Sequence, residues 1–337
     1  MSDSSDVFIG VDIGGTKVAA GLISANGEIL HSTRTAMNTR GTAEEGLQSV
    51  RDAIDALLRE SRAAEAKGIG LSSPGPVDPH TGVVINPGNL PCWRNYPLAS
   101  AVEKFYGLPT ILHHDSDTAG LAEALWGAGV GFSQVFYATV GTGIGTAVIV
   151  DGRAYLGRTG AAGEGGHMTI DYKGKKCRCG KQGCVEILAA GPAIAARAQH
   201  KIVDDPSRGQ RLLELVEGNL TNVTGHEVGI AWREGDPLAT EVLQETADVL
   251  AVWFGNMIDL LEPDVIVMGG GVSPLLSGWF EHIRSRFAKW SVNKRAGEIP
   301  LLPAKYGIDS GMVGAAALCL PSVKATSEIK LHGASAK

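Results

Sequence analysis

Three cysteines, Cys177, Cys179 and Cys184, fall within the segment KGKKCRCGKQGCVE, and His167 lies ten residues before the first of them. Three thiolates and an imidazole make the donor set of a closed tetrahedral zinc site. The segment has too few apolar residues to fold around a core of its own, so a metal is one way to hold it. Three free thiols in a surface loop are the other reading that the spacing leaves open.

A second group opens the chain. In GVDIGGTK, a strand feeds Asp12, and Gly14, Gly15 and Thr16 follow before Lys17. Small residues let backbone N–H groups approach phosphate oxygens, and a threonine hydroxyl adds a donor. The spacing matches neither the GxxxxGK[ST] loop nor the dinucleotide GxGxxG. A plain hairpin turn would use the same residues. A second copy, TVGTGIGT with Gly141, Thr142 and Gly143, favours phosphate. Two opposed phosphate-gripping hairpins fit an ATP site between two domains.

Asp115 in ILHHDSDTAG follows an apolar strand and precedes a helical pattern. In an α/β fold a carboxylate there can accept the proton of a hydroxyl that attacks a γ-phosphorus. Helix capping is the alternative use, for which Asp117 is equally suited. A metal site at His113 and His114 is set aside, because adjacent strand residues point to opposite faces.

These groups need elements to position them. VFIGVDIGG reads as a strand ending in a turn, and TKVAAGLISANGEILHSTR as two more strands joined at Asn26-Gly27. Thr42 with Glu45 forms a candidate capping box ahead of Leu47, Val50, Ile54 and Leu57 at helical spacing. GIGLSS and TILHHD read as buried strands and TAGLAEALWG as a helix. QVFYATVGTGIGTAVIVDGRAYL then repeats the opening pattern, with a tight turn at Asp151-Gly152. Two similar α/β halves facing across a cleft follow from the repeat. Residues 188–260 are mostly helical by pattern, PDVIVMGGGVS is a strand running into a glycine turn, and 309–320 is a late helix. The polar tail from Pro321 is expected to be loose. Cys92 and Cys319 are expected to be small buried side chains.

The 337 residues, 44% hydrophobic and 20% charged, suit one large or two medium globular domains. Thirty basic against 36 acidic residues give a net charge of −6, which argues against a nucleic-acid partner. The start, MSDSSDVFIG, has no leader pattern. The longest uncharged stretch, 127–150, is interrupted by Gly, Ser, Gln and Thr and reads as strands, not a membrane span. A cytoplasmic protein is expected, where a cysteine cluster binds metal or does redox chemistry before it forms disulfides.

The motifs DIGGTK, GLSSPGPVDPHTGVV, NLPCW, TVGTGIGTAVIVDGRAYLGRTGAAGEGGHM, CRCGKQGCVE and DVIVMGGGVS occur in this order over roughly residues 6–320. In them the chain resembles the ROK family of sugar kinases and related repressors. The resemblance implies a two-domain α/β ATPase fold of the actin-like, hexokinase-like (ribonuclease H-like) kind. It divides the chain into a small domain, residues 1–117 plus about 305–323, a large domain, 118–304, carrying the zinc loop, and a tail, 324–337. It implies an ATP-dependent hexose kinase with glucose as first choice; a kinase for mannose or N-acetylmannosamine, or a weakly catalytic sugar-binding protein, is the alternative. Asp115 matches the catalytic aspartate. Asn89, His114, Glu164, His167 and Glu186 match sugar contacts. Asp12 and the two Gly/Thr loops, Lys17 included, match the groups that handle Mg²⁺ and phosphates. Gly269, Gly270 and Gly271 would lie against the adenosine. His167, Cys177, Cys179 and Cys184 match a structural zinc site. A homodimer or homotetramer is implied. The family repressors carry a DNA-binding domain ahead of the kinase-like part, and a first strand by Val7 leaves no room for one.

One stretch departs from the family. Where the usual pattern is Asn-Asp-x-Asn, this chain has His114-Asp115-Ser116-Asp117. A neutral histidine offers one donor and one acceptor from a larger ring, so the sugar preference turns on this position.

Overall fold

The computed structural model describes residues 6–59 and 65–324. Two five-stranded sheets organise them. The first has the order β3-β2-β1-β4-β7, with β1 Val7–Ile13, β2 Lys17–Ser24, β3 Ile29–Ala36, β4 Ile69–Ser73 and β7 Thr110–His114. β2 runs antiparallel to both β1 and β3, whereas β4 runs parallel to β1, and β7 to β4. β5 Val77–Asp78 and β6 Val83–Val84 form a separate short ribbon. The second sheet has the order β10-β9-β8-β11-β12, built from β8 Gln134–Val140, β9 Ile144–Val150, β10 Arg153–Ala154, β11 Val265–Gly269 and β12 Leu301–Pro303. β8, β11 and β12 are parallel. The repeated strand–glycine turn–strand pattern of the sequence thus becomes two sheets of like order.

Local sequence explains the helices. α1, Ala43–Leu58, starts at a complete capping box of Thr42 and Glu45 and buries Leu47, Val50, Ile54 and Leu57. α2 spans Leu98–Tyr106 and α3 Asp115–Trp126. α4 Gly191–Asp204 and α5 Gly225–Arg233 precede the longest helix, α6 Pro237–Leu261. α6 opens with proline at its first turn, where no intrahelical N–H is needed, behind an Asp236 cap. Trp253 and Phe254 of α6 are fully buried against Phe136 of β8. α7, Ser310–Ala317, is nearly all buried.

The chain divides into two compact units, which among the described residues comprise 6–59, 65–133, 147–163 and 308–324, and 134–146 and 164–307. The boundary expected after residue 117 falls inside α3. That helix belongs wholly to the first unit because it is locked to α7: a Cβ on Gly314 would lie 1.6 Å from the Thr118 carbonyl oxygen. α7 also sits directly on the sheet, since a Cβ on Gly10 or Gly70 would lie 1.9 or 1.7 Å from the carbonyl oxygen of Met312 or Ala315. Residues 147–163, expected in the second unit, also belong to the first. Pro321–Lys324 forms a short helix where a loose tail was expected, and the remainder of that tail lies outside the described residues. Cys319 is buried as expected, but Cys92 is only half-buried. No described helix is long and apolar enough to cross a membrane.

Candidate functional site

The parallel run β1-β4-β7 brings three strand ends to one edge of the first sheet, the usual location of α/β sites. Asp12 near the end of β1 pairs with Ser72 of β4, and the Ser72 hydroxyl donates to Asp12 Oδ1 at 2.7 Å. Asp115 follows β7 as the first residue of α3. Burial lifts the Asp12 pKa from 3.8 to about 6, the Ser72 hydrogen bond opposes this, and the Asp115 carboxylate adds to it. Asp12 also faces the start of α7: a Cβ on Gly311 would lie 2.7 Å from Oδ1. An ion pair between Arg34 and Asp309 holds the turn just before that helix.

Asp115 is open to solvent, its side chain 46% exposed. His114 Nδ1 lies 2.6 Å from Ser116 Oγ and 3.2 Å from Asp115 Oδ1. The Ser116 N–H also points at Nδ1, 3.4 Å away. The other edge of the ring lies over Gly75, where a Cβ would be 2.6 Å from Nε2. His113, by contrast, has no hydrogen-bond partner at Nδ1, and burial lowers its pKa to about 4. It is a half-buried histidine of β7. Gly14 closes the first turn by donating to the Lys17 carbonyl at 2.8 Å, while Thr16 and Lys17 are exposed. Asn89, also exposed, approaches this turn, its carbonyl oxygen 3.4 Å from a Cβ position on Gly15.

In the second unit the four sulfur and nitrogen donors converge. One ligand atom from each of His167, Cys177, Cys179 and Cys184 lies within 4.8 Å of every other. Cys179 and Cys184 sulfurs are 3.7 Å apart, and Cys177 Sγ is 3.6 Å from His167 Nδ1. Tetrahedral zinc with bonds of about 2.3 Å to sulfur and about 2.0 Å to nitrogen sets these separations at about 3.8 and 3.6 Å. The residues fit the ion. Burial, and then the neighbouring thiols, push Cys184 up to about 12, whereas the Lys181 backbone N–H lowers Cys179. A divalent cation offsets the cost of ionising such a cluster. The loop itself has only polar fastenings, among them Cys177 N–H to Lys181 O at 2.8 Å and Gly183 N–H to Lys175 O at 2.9 Å. His167 Nε2 is left for another partner.

Glu164 is exposed one residue before the turn Gly165–His167. Glu186 Oε2 accepts the backbone N–H of Ile144 at 3.0 Å, beside the second Gly/Thr loop. That loop also borders a cavity of about 770 Å³. Gly141 and Thr142 line its edge, with apolar walls from Ala195, Val223, Val272 and Leu275 and polar groups from Gln199 and Arg233. Of the glycine run, Gly271 lines the cavity. Gly269 is buried against Tyr137, and Gly270, at φ 87°, crosses over the end of β8. Sequence reasoning missed Ser72, Ser116, Gln199, Arg233 and Gly311. The proline at the first turn of α4, after Gly191, was the one sequence signal for a helix end at this cavity.

Residues 8–321 match the ROK family. The chain belongs to the ROK family. A glucokinase of Streptomyces coelicolor (strain ATCC BAA-471 / A3(2) / M145) is 32% identical over 312 residues, covering 92% of this chain and 96% of the relative. An N-acetylmannosamine kinase of Shigella boydii serotype 18 (strain CDC 3083-94 / BS512) is also 32% identical over 312 residues, covering 92% and 97%. The crystal structure of a ROK family glucokinase from Streptomyces griseus in complex with glucose and AMPPNP is 33% identical. It superposes with a TM-score of 0.79 over 93% of this chain and 98% of that one. The fold is therefore the actin-like ATPase fold of ROK glucokinases and hexokinases.

Proposed function

We propose that this ROK sugar kinase transfers the γ-phosphoryl group of ATP to the 6-hydroxyl of glucose in the cytoplasm. The observation that carries the reading is the pairing of two carboxylates at one sheet edge. Asp12 is half-buried and hydrogen-bonded, and Asp115 is open to a ligand at the end of β7. Asp115 accepts the proton of the attacking hydroxyl as the oxygen approaches the γ-phosphorus. Asp12 would hold Mg²⁺, which would supply positive charge to offset that of the phosphates. Backbone N–H groups around Gly14, Gly15 and Thr16, with Lys17, and those of Gly141, Thr142 and Gly143 handle the phosphates. The apolar walls of the cavity beside Thr142, with Gly271, take the adenosine.

The reading assigns the sugar to Asn89, His114 and Asp115 of the first unit and Glu164, His167 and Glu186 of the second. Zinc on His167, Cys177, Cys179 and Cys184 would fix the His167 ring and leave Nε2 for a sugar hydroxyl. N-acetylmannosamine is the second reading, favoured by the relative of that name at equal identity.

The test is phosphoryl transfer from ATP·Mg²⁺ to glucose, mannose, N-acetylmannosamine, N-acetylglucosamine, fructose and allose, with Asp115→Asn beside the unaltered protein. Glucose is expected to give the highest kcat/KM. Asp115→Asn is expected to lose about 10²–10⁴-fold in kcat. No turnover on any sugar by folded, zinc-loaded protein would overturn the kinase reading.

A further inference from the structure

The metal-binding module and the second Gly/Thr loop meet at one residue, Ile144, and are packed around it from two sides. Glu186, two residues after the ligand Cys184, takes the Ile144 N–H on Oε2 at 3.0 Å. Its other oxygen, Oε1, lies 4.0 Å from Cys177 Sγ. Gly166, next to the ligand His167, lies against the Ile144 carbonyl so closely that a Cβ would be 1.8 Å from the oxygen. Gly165 donates to Thr146 Oγ1 at 2.9 Å. Gly143 has no room either: a Cβ there would be 2.6 Å from Glu186 Oε2. Both backbone groups of Ile144 are thus gripped by the segments that carry the metal ligands.

We propose that Glu186 is a positioning residue for the Gly141-Thr142-Gly143 loop, through which the metal centre sets the loop for nucleotide phosphate. This rests on the phosphate reading of the loop and adds to it a second duty for Glu186, separate from any contact with sugar. A carboxylate on the Ile144 N–H fixes where the loop enters β9, and the metal would fix the carboxylate through the adjoining Cys184. Nucleotide and metal affinities are then linked, and by thermodynamic reciprocity each strengthens the other. The side-chain oxygen is what matters here, not the charge, so glutamine can replace glutamate in this duty but alanine cannot.

The experiment measures AMPPNP·Mg²⁺ binding by calorimetry, without sugar, to zinc-loaded wild type, Glu186→Ala and Glu186→Gln. It also measures zinc release to a chelator with and without AMPPNP. Glu186→Ala is expected to raise Kd about tenfold, the scale of one lost hydrogen bond to a charged group. Glu186→Gln should stay within about threefold of wild type while losing turnover on sugar. Nucleotide should slow zinc release from wild type and Glu186→Gln and leave Glu186→Ala unchanged. Equal Kd values for wild type and zinc-loaded Glu186→Ala would overturn the proposal, as would nucleotide-independent zinc release from wild type. No AMPPNP binding to wild type would instead remove the phosphate reading beneath it.

Discussion

Asp12→Asn should make the protein more stable and remove its phosphoryl transfer at the same time. Burial holds the Asp12 carboxyl at about 6 against an ordinary 3.8, so the folded chain resists ionising it. The difference corresponds to about 3 kcal/mol at full ionisation. Some of the residue remains accessible, which makes that figure a ceiling and about 1–2 kcal/mol the working expectation. The sign follows from the raised value. Below about pH 3 the folded and unfolded carboxyls both keep the proton and the cost is absent. Between about 3.8 and about 6 the unfolded chain ionises while the folded carboxyl holds its proton, so the cost builds; above about 7 it is constant. Asparagine has the same shape, carries no charge and can still accept from the Ser72 hydroxyl.

The assay is the thermal midpoint of both proteins from pH 4.5 to 8.5, zinc-loaded, without Mg²⁺ or nucleotide. Midpoints are compared because a chain of two units need not unfold in one step. The variant's advantage should be smallest near pH 4.5, where about a third of the cost is present, and grow to about 2–6 °C above pH 7. Its kcat should fall at least about 10²-fold if Asp12 holds the metal that neutralises the phosphates. A melting difference that is flat with pH would refute the electrostatic account, because only ionisation of residue 12 makes it vary.

Two further substitutions test packing and recognition. Gly314→Ala puts a methyl group 1.6 Å from the Thr118 carbonyl oxygen where α7 meets α3, and both are backbone-locked. A loss of about 3 kcal/mol or more is expected, read as a lowered melting midpoint or insoluble expression. Gln199 donates Nε2 to the Val223 carbonyl at 2.9 Å, which leaves Oε1 as an acceptor at the cavity proposed for the nucleotide. Adenine offers an amine where guanine offers a carbonyl, so Gln199→Ala should reduce the preference for ATP over GTP by about 3–10-fold in kcat/KM.

Much of this was legible because the chemistry sits on strong local signals. The alternation of apolar strands with glycine turns exposed the two repeated units, and the Cys177, Cys179, Cys184 spacing pointed to a metal cluster before any coordinates. Thr42 and Glu45 marked the α1 start to the residue. What sequence could not supply was neighbourhood across the sheet. Ser72 reads as one more small residue in GLSS, and only the parallel register of β1 and β4 puts its hydroxyl on Asp12. The domain boundary failed for a related reason. Nothing in DSDTAGLAEALW shows that α3 is bound to a helix almost two hundred residues later, because the contact is made by the missing side chain of Gly314.

The same logic bears on His114. Read alone, it is a bulky replacement in a position where the family has asparagine, beside a carboxylate whose basicity it could spoil. In the fold it comes with two accommodations: Gly75 leaves space for the ring, and Ser116 offers both its N–H and its hydroxyl to Nδ1. Where Nδ1 accepts the Ser116 N–H, the donor left for a ligand is Nε2–H. His114 is therefore built in with its neighbours, and on the proposed reading of the site its effect falls on which hydroxyl pattern is accepted.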